Sequence, residues 1–317
     1  MFTRNSQKRF SHERALILLM LLCALAQSLS CANRSPSSAN AGADAREVTD
    51  GAGRRVRVPR RPERIISLAP NLTEIIYAVG AGPRLVGNTT FCDYPEEARH
   101  VPKVGDTLHP SIERIIALRP QLILVSTASQ LESFTRQLDE QNIAVYITDP
   151  HDLEGVFQSI QAIGELVDER ERAGSLVSAL RSRATSIEER VGNRKPLSVF
   201  YQLSAEPLYT AGRDSFITDL VRRAGGVSVT ADVPGAWPRY SDEAALAARP
   251  EAVIMATGDS MGAQANAEVA GPLMRSPAVL NKRVYKINGD YLSRPGPRLV
   301  DGLEQMARAL HPEAFKE

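Results

Sequence analysis

Apolar positions along this chain change from helix spacing to strand spacing, and the same change occurs twice. Residues 111–125 open Ser111-Ile112-Glu113-Arg114-Ile115-Ile116, stop at Arg119-Pro120 and continue as the apolar run Leu122 to Val125. Residues 241–255 repeat the plan, with Ser241-Asp242-Glu243, a stop at Arg249-Pro250 and the run Ala252 to Met255. Each copy predicts a short helix followed by a strand. Ser is a good N-cap, and a residue before Pro is pushed out of the helical region. A second echo, Thr73-Glu74-Ile75-Ile76 leading to Gly80 and Thr218-Asp219-Leu220-Val221 leading to Gly225, supports the first. The pattern predicts two similar α/β lobes with a cleft between them.

The remaining pattern fills in the lobes. Arg54-Arg55-Val56-Arg57-Val58 alternates as a half-exposed strand does, and Arg64-Ile65-Ile66-Ser67-Leu68 reads as a short buried one. Asn71 with Glu74 three residues on predicts a capping box, and Leu72, Ile75, Ile76 and Val79 share one helical face. Ala144-Val145-Tyr146-Ile147 closes lobe one as a strand. From residue 151 to 193, Leu153, Val156, Phe157, Ile160, Ile163 and Val167, then Leu176, Leu180 and Ile187, keep helical spacing with no strand between them. This stretch is read as a bridging helix, one long or two broken. Lobe two runs from 194 to 317, with strands at Leu197–Tyr201 and Arg283–Ile287 and a closing helix near Arg298–Leu310. Strands alternating with helices predict mostly parallel sheets covered on both faces. The fold class is α/β, two Rossmann-like lobes joined by a long bridging helix, which should let the lobes move less than flexible crossover strands would.

Composition adds the cellular setting. The 317 residues are enough for two domains, and a net charge of +1 gives no basic surface for nucleic acid. Arg4, Lys8, Arg9 and Arg14 precede an apolar run from Ala15 to Ala26 that is too short to span a bilayer well, as in an export signal. Ser28-Leu29-Ser30-Cys31 follows and resembles a bacterial lipobox, with Ser28 where Leu is usual. Residues 1–31 are thus read as a signal with Cys31 as the lipidation site. Residues 32–46, small, polar and without period, are read as a flexible tether, and lobe one as 47–150. The expected layout is a monomer on a leash at a membrane surface. With Cys23 in the signal and Cys31 at its end, Cys92 is alone in the folded part and has no intrachain disulfide partner.

Enzyme chemistry finds no motif: no Gly-x-Ser-x-Gly, Walker loop or Gly-x-Gly-x-x-Gly stands in a strand–turn–helix context. His100, His109 and His151 lack ligand spacing with one another, so no metal site is expected. Binding candidates are clearer. Trp237, the single Trp, stands in Val233-Pro234-Gly235-Ala236-Trp237-Pro238, a stretch that is neither helix nor interior strand. Loops on rigid scaffolds carry function, although a Trp there can also plug a core. Phe91 and Tyr94 occupy another loop, with Tyr94 before Pro95 also serving as an anchor. Arg294, between Tyr291 and Pro295, is a donor for a polar ligand edge or a solvated loop charge.

The helix-bridged lobes, the segment from Arg64 to Glu74 and the doubled Ser-x-Glu…Arg-Pro unit resemble substrate-binding proteins of ABC importers for iron chelates, haem and cobalamin, whose fold is the helical-backbone periplasmic binding protein. Phe91-Cys92-Asp93-Tyr94-Pro95, Ala236-Trp237-Pro238 and Asp290-Tyr291-Leu292-Ser293-Arg294 look most like the cobalamin-binding members. The resemblance implies an extracytoplasmic protein that binds without chemistry and uses no cofactor. It implies that Phe91 and Trp237 cover the ligand, that Asp290, Tyr291, Leu292, Ser293 and Arg294 line the cleft, and that Glu113 and Glu243 dock onto a permease dimer, one per lobe. Acids in a first helical turn are also favoured by the macrodipole, by ~0.3–1 kcal/mol, without a partner. Haem, with Tyr94 or Tyr291 as axial ligand, and a ferric siderophore remain the alternative ligands. Several basic groups in the cleft would favour the siderophore, and stacked aromatics with little charge would favour cobalamin.

Overall fold

The computed structural model describes residues 45–126, 137–138, 141, 143–258 and 268–316. The signal, Cys31 and residues 32–44 of the tether lie outside the described residues. The first element is an antiparallel ribbon of β1 (Ala45–Thr49) and β2 (Arg55–Pro59), with Val48 opposite Val56. Lobe one therefore includes Ala45 and Arg46, which sequence reading places in the tether. They stand opposite Pro59 and Val58 of β2, and the Arg54 guanidinium ties the ribbon to the lobe through the Val145 carbonyl at 2.9 Å.

Lobe one continues with β3 (Ile65–Ser67), α1 (Pro70–Ala78), β4 (Leu85–Asn88), α2 (Ile112–Ala117), β5 (Leu122–Val125) and β6 (Ala144–Ile147). Its four strands form a parallel sheet in the order β4-β3-β5-β6. The strands are nearly all apolar because helices cover both faces. The capping box at Asn71 is not formed. Pro70 occupies the first helical turn, the cap is Ala69 without a side-chain bond, and Asn71 is already inside α1. A Pro at the first turn loses no intrahelical bond, so the start falls ahead of Asn71 and frees both Asn71 and Glu74 for other partners.

The bridge is two helices, α3 (Leu153–Leu166) and α4 (Arg170–Val191). The break falls at Val167–Glu169, where Asp168 has a φ of 59°. The two helices pack closely, since a Cβ at Gly164 would lie 2.2 Å from that of Ala173. Asp152 caps α3, its Oδ1 accepting from the Gly155 amide.

Lobe two contains β7 (Leu197–Ala205), β8 (Leu208–Thr210), α5 (Phe216–Arg223), β9 (Gly226–Ser228), α6 (Asp242–Ala248), β10 (Ala252–Thr257), α7 (Pro277–Leu280), β11 (Val284–Asn288), α8 (Gly289–Leu292) and α9 (Leu299–Leu310). The sheet order is β11-β10-β7-β8, with β9 pairing the start of β7; only β8 runs antiparallel. One apolar core reaches through both lobes, from Ile75 on α1 through Phe157 on α3 and Val177 on α4 to Leu220 on α5 and Leu303 on α9. Each such side chain contributes ~1.5–3 kcal/mol by leaving water, so the lobes are joined by packing as well as by the chain.

Candidate ligand-binding cleft

The strand ends of lobe one and a loop of lobe two face each other across a cleft of about 280 Å³. Ala69 follows β3, Ser126 follows β5 and Asp149 follows β6, so the lobe-one wall lies at the carboxyl ends of a parallel sheet, where α/β folds place ligands. Trp237, Phe216 and Asp214 form the opposing wall. The Trp237 ring meets Phe216 edge-on at 5.7 Å and 79°, and Tyr201 at 6.5 Å and 50°. It remains 38% exposed, so one side is anchored and the other is presented.

The Trp237 loop is held firmly. Gly212 donates to the Ala236 carbonyl, Arg213 to Val233 and Thr210 to Pro238. The Gly235 amide donates to Asp214 Oδ2 at 2.9 Å. Gly212 is required for this approach, because a Cβ there would stand 2.2 Å from the Gly235 carbonyl oxygen.

The remaining cleft groups are mostly neutral and polar: Asn71, Thr107, Ser126, Ser215 and Ser293. The Asn71 amide donates to Ser126 Oγ at 3.3 Å and to the Pro295 carbonyl at 3.2 Å, linking the two lobes at the cleft. The ionisable groups are Asp149, His151 and Asp214; no Lys or Arg among the described residues lines the cleft. His151 Nδ1 lies 2.9 Å from the Asp214 carbonyl oxygen, and its Nε2 lies 3.5 Å from Asp149 Oδ2.

Of the residues read from the sequence, Trp237 and Ser293 line this cleft. Phe91 is 39% exposed on the loop after β4 and is not part of the cleft lining. Leu292 has no exposure at all and belongs to the core, which corrects its reading as a cleft residue. Arg294 is corrected too. Its guanidinium is buried against Glu74, Asp93 and Asp290, which engage both terminal nitrogens, Nη1 and Nη2. Arg298, unremarked in the sequence, is bidentate to Glu74 at 3.0 and 2.6 Å. It also stacks on Tyr94 at 4.0 Å and lies 5.4 Å from the Tyr291 ring. Asp290, Tyr291, Tyr94 and Arg294 thus belong to a seam between the lobes.

Asp149, His151, Asp214 and Phe216, with the neutral groups Asn71, Ser126 and Ser215, are among the cleft residues that sequence reading missed. Asp149 and His151 resemble a helix start, and Asp214 and Phe216 flank an ordinary Ser cap; only the sheet geometry turns them inward.

Glu113 and Glu243 are matched in structure as in sequence. Each is exposed one residue into its helix, behind Ser111 or Ser241, whose Oγ accepts from the Arg114 or Ala244 amide. Arg119 and Arg249 both adopt positive φ, 47° and 42°, at the turn into Pro. A wider groove of about 670 Å³ runs beside Glu243. It lies on one lobe alone and mixes Arg239 with Glu206 and Asp242, so it lacks the facing apolar wall of the cleft.

Among the described residues, no group of three or more His, Cys, Asp or Glu side chains is placed to hold a metal, and no helix is long and apolar enough to cross a membrane. Two helix-bridged α/β lobes around a cleft with an aromatic wall define a bilobal binding protein. The chain belongs to the family described as periplasmic binding protein, whose model matches residues 65–291, a family of solute-binding transport proteins. It is 33% identical to an uncharacterised ABC transporter substrate-binding lipoprotein, YvrC, of Bacillus subtilis, over 96% of this chain and 99% of that one. Among solved structures, the periplasmic vitamin B12 binding protein BtuF of Vibrio cholerae superposes with a TM-score of 0.70 at 30% identity, covering 82% of this chain and all of that one. The periplasmic heme-binding protein RhuT from Roseiflexus gives a TM-score of 0.70 at 25% identity, over 80% of this chain and 99% of that one.

Proposed function

We propose that this protein captures cobalamin between its lobes and delivers it to the permease dimer of an ABC importer. The likeness to BtuF supports the role. The character of the cleft carries the choice of ligand: an anchored Trp237–Phe216 wall, neutral hydrogen-bonding groups opposite, and no Lys or Arg among the described lining residues. Haem carries carboxylates and siderophores are often anionic, and such ligands want cationic donors. A corrin rimmed by amides wants an apolar face and neutral partners. A cleft of about 280 Å³ takes one edge of such a macrocycle and leaves the rest at the rim.

In this reading Trp237 covers the ligand, Phe91 touches it at the rim, and Glu113 and Glu243 meet the two halves of the permease. Charged contacts of that kind orient an encounter more than they add affinity. Cys31 carries the lipid that holds the protein at the membrane, and no chemistry is done on the ligand. Calorimetric titration with cyanocobalamin, haemin and a ferric siderophore tests the reading. Tight one-to-one binding of cobalamin alone supports it. Heat with either comparison ligand, and none with cobalamin, replaces the substrate and keeps the transport role.

A further inference from the structure

The cleft has a charge sign as well as a shape. Asp149 approaches it from lobe one and Asp214 from lobe two, so carboxylates stand on both walls. Neither is strongly neutralised. Asp214 Oδ2 accepts from the Gly235 amide, and its Oδ1 is 3.7 Å from an Arg213 that is itself 60% exposed. Among the described residues the ion-pair partner of Asp149 is His151, at 3.5 Å, which carries charge only when protonated. No described Lys or Arg offsets the pair within the lining. A ligand carboxylate entering here leaves water, meets like charge on both sides and gains no cation from the described lining residues. Removing a charge from water without a partner is costly, and Asp149 and Asp214, 41% and 48% exposed, add a solvent-screened repulsion from both walls.

We propose that Asp149 and Asp214 are specificity-determining residues that restrict the cleft to fully amidated corrinoids and reject those bearing a free peripheral carboxylate. The inference rests on the cobalamin reading and goes beyond it, because it says which corrinoids are carried. An amide rim can donate N–H to Asp149, Asp214 and the Ser126 and Ser293 hydroxyls. A carboxylate at the same place can only accept. The same charges favour a cobalt centre carrying net positive charge, so an aquo form gains over a cyano form.

The test titrates the full-length protein with cyanocobalamin, with its separated monocarboxylic acids, in which one peripheral amide is hydrolysed, and with aquocobalamin. The isomer whose carboxylate enters the cleft is expected to bind about tenfold weaker than the parent, equivalent to ~1.4 kcal/mol. That ratio should shrink with added salt, as a Coulomb effect does. It should also shrink in the double variant Asp149→Asn, Asp214→Asn. A general loss of cleft packing lowers all affinities together and leaves the acid-to-amide ratio unmoved. Binding of every acid isomer within about twofold of the parent, a difference well under 1.4 kcal/mol, overturns the inference and keeps the cobalamin reading. So does a tenfold gap that persists in the double variant. Silence with all the corrinoids overturns the cobalamin reading itself, and this inference with it.

Discussion

Arg294 of lobe two donates from Nη1 to Glu74 Oε1 of lobe one at 3.1 Å, with side chains only 1% and 2% exposed. The same nitrogen donates to Asp93 Oδ1 at 2.8 Å, and Nη2 lies 2.9 Å from Asp290 Oδ1. Arg298 closes the other side of Glu74. Two cations and three carboxylates thus clamp the lobes beside the cleft, where a shared apolar core already joins them. The small motion expected of a helix-bridged protein has a specific cause here, since opening the seam would separate charges that have left water.

Arg294→Met should therefore cost about 1.5–3 kcal/mol of unfolding free energy, because charge-assisted hydrogen bonds are lost while Arg298 still holds Glu74. Equilibrium denaturant unfolding measures it. A loss below about 1 kcal/mol, the scale of a surface pair, would mean that the seam contributes little.

Trp237→Ala should leave the circular dichroism spectrum unchanged and weaken cobalamin binding by at least ~2 kcal/mol, the threshold of an aromatic hot spot. Phe216 and Tyr201 remain to cover the core beneath it. Unchanged affinity for cobalamin, haemin and siderophore alike would remove the cleft assignment.

Stability should decline in acid. Burial raises the Asp93 carboxyl, but the hydrogen bond and charge of Arg294 outweigh it, leaving the group below its ordinary 3.8. Asp219 behaves alike: burial raises it, and bonds from Arg223, the Leu153 amide and Arg222 bring it below 3.8. A carboxyl depressed in the fold stabilises it at pH above the ordinary value, and that contribution is lost as pH falls from 3.8 through the folded value. Unfolding free energy measured against pH should drop in that window, and less steeply in the double variant Asp93→Asn, Asp219→Asn. Equal slopes would assign the acid response to other groups.

Tyr201→Phe should be neutral or stabilise by up to ~1 kcal/mol, because an unmade buried hydrogen bond is a cost that Phe avoids. The Tyr201 hydroxyl is fully buried without a hydrogen-bond partner among the described residues, and burial pushes its pKa up. A loss above about 1 kcal/mol on thermal unfolding would show that the hydroxyl is satisfied.

Replacing both Glu113 and Glu243 by Ala should preserve cobalamin affinity and abolish stimulation of the reconstituted importer. Transport at the unmodified rate would reduce both residues to helix-end acids.

Local periodicity determined much of this protein. The doubled helix–strand unit, the Ser caps, the Arg-Pro stops and the buried strands all follow from neighbours in the chain, as does the two-lobed plan they imply. Trp237 could be singled out because Pro and Gly around it forbid helix and interior strand.

Contacts between distant residues were decided only in three dimensions. Nothing near Arg294 in sequence shows that Glu74 and Asp93 will reach it from the other lobe, or that Leu292, two residues earlier, turns into the core. Glu74 could not be distinguished from a capping acid until Pro70 moved the helix start. Asp149 and Asp214 are common turn residues until two sheets bring them to one cleft. Backbone propensity acts over a few residues and can be read along the chain. Pairing of charges and walling of a cavity depend on which surfaces the packed lobes bring together, and the tertiary fold alone sets that.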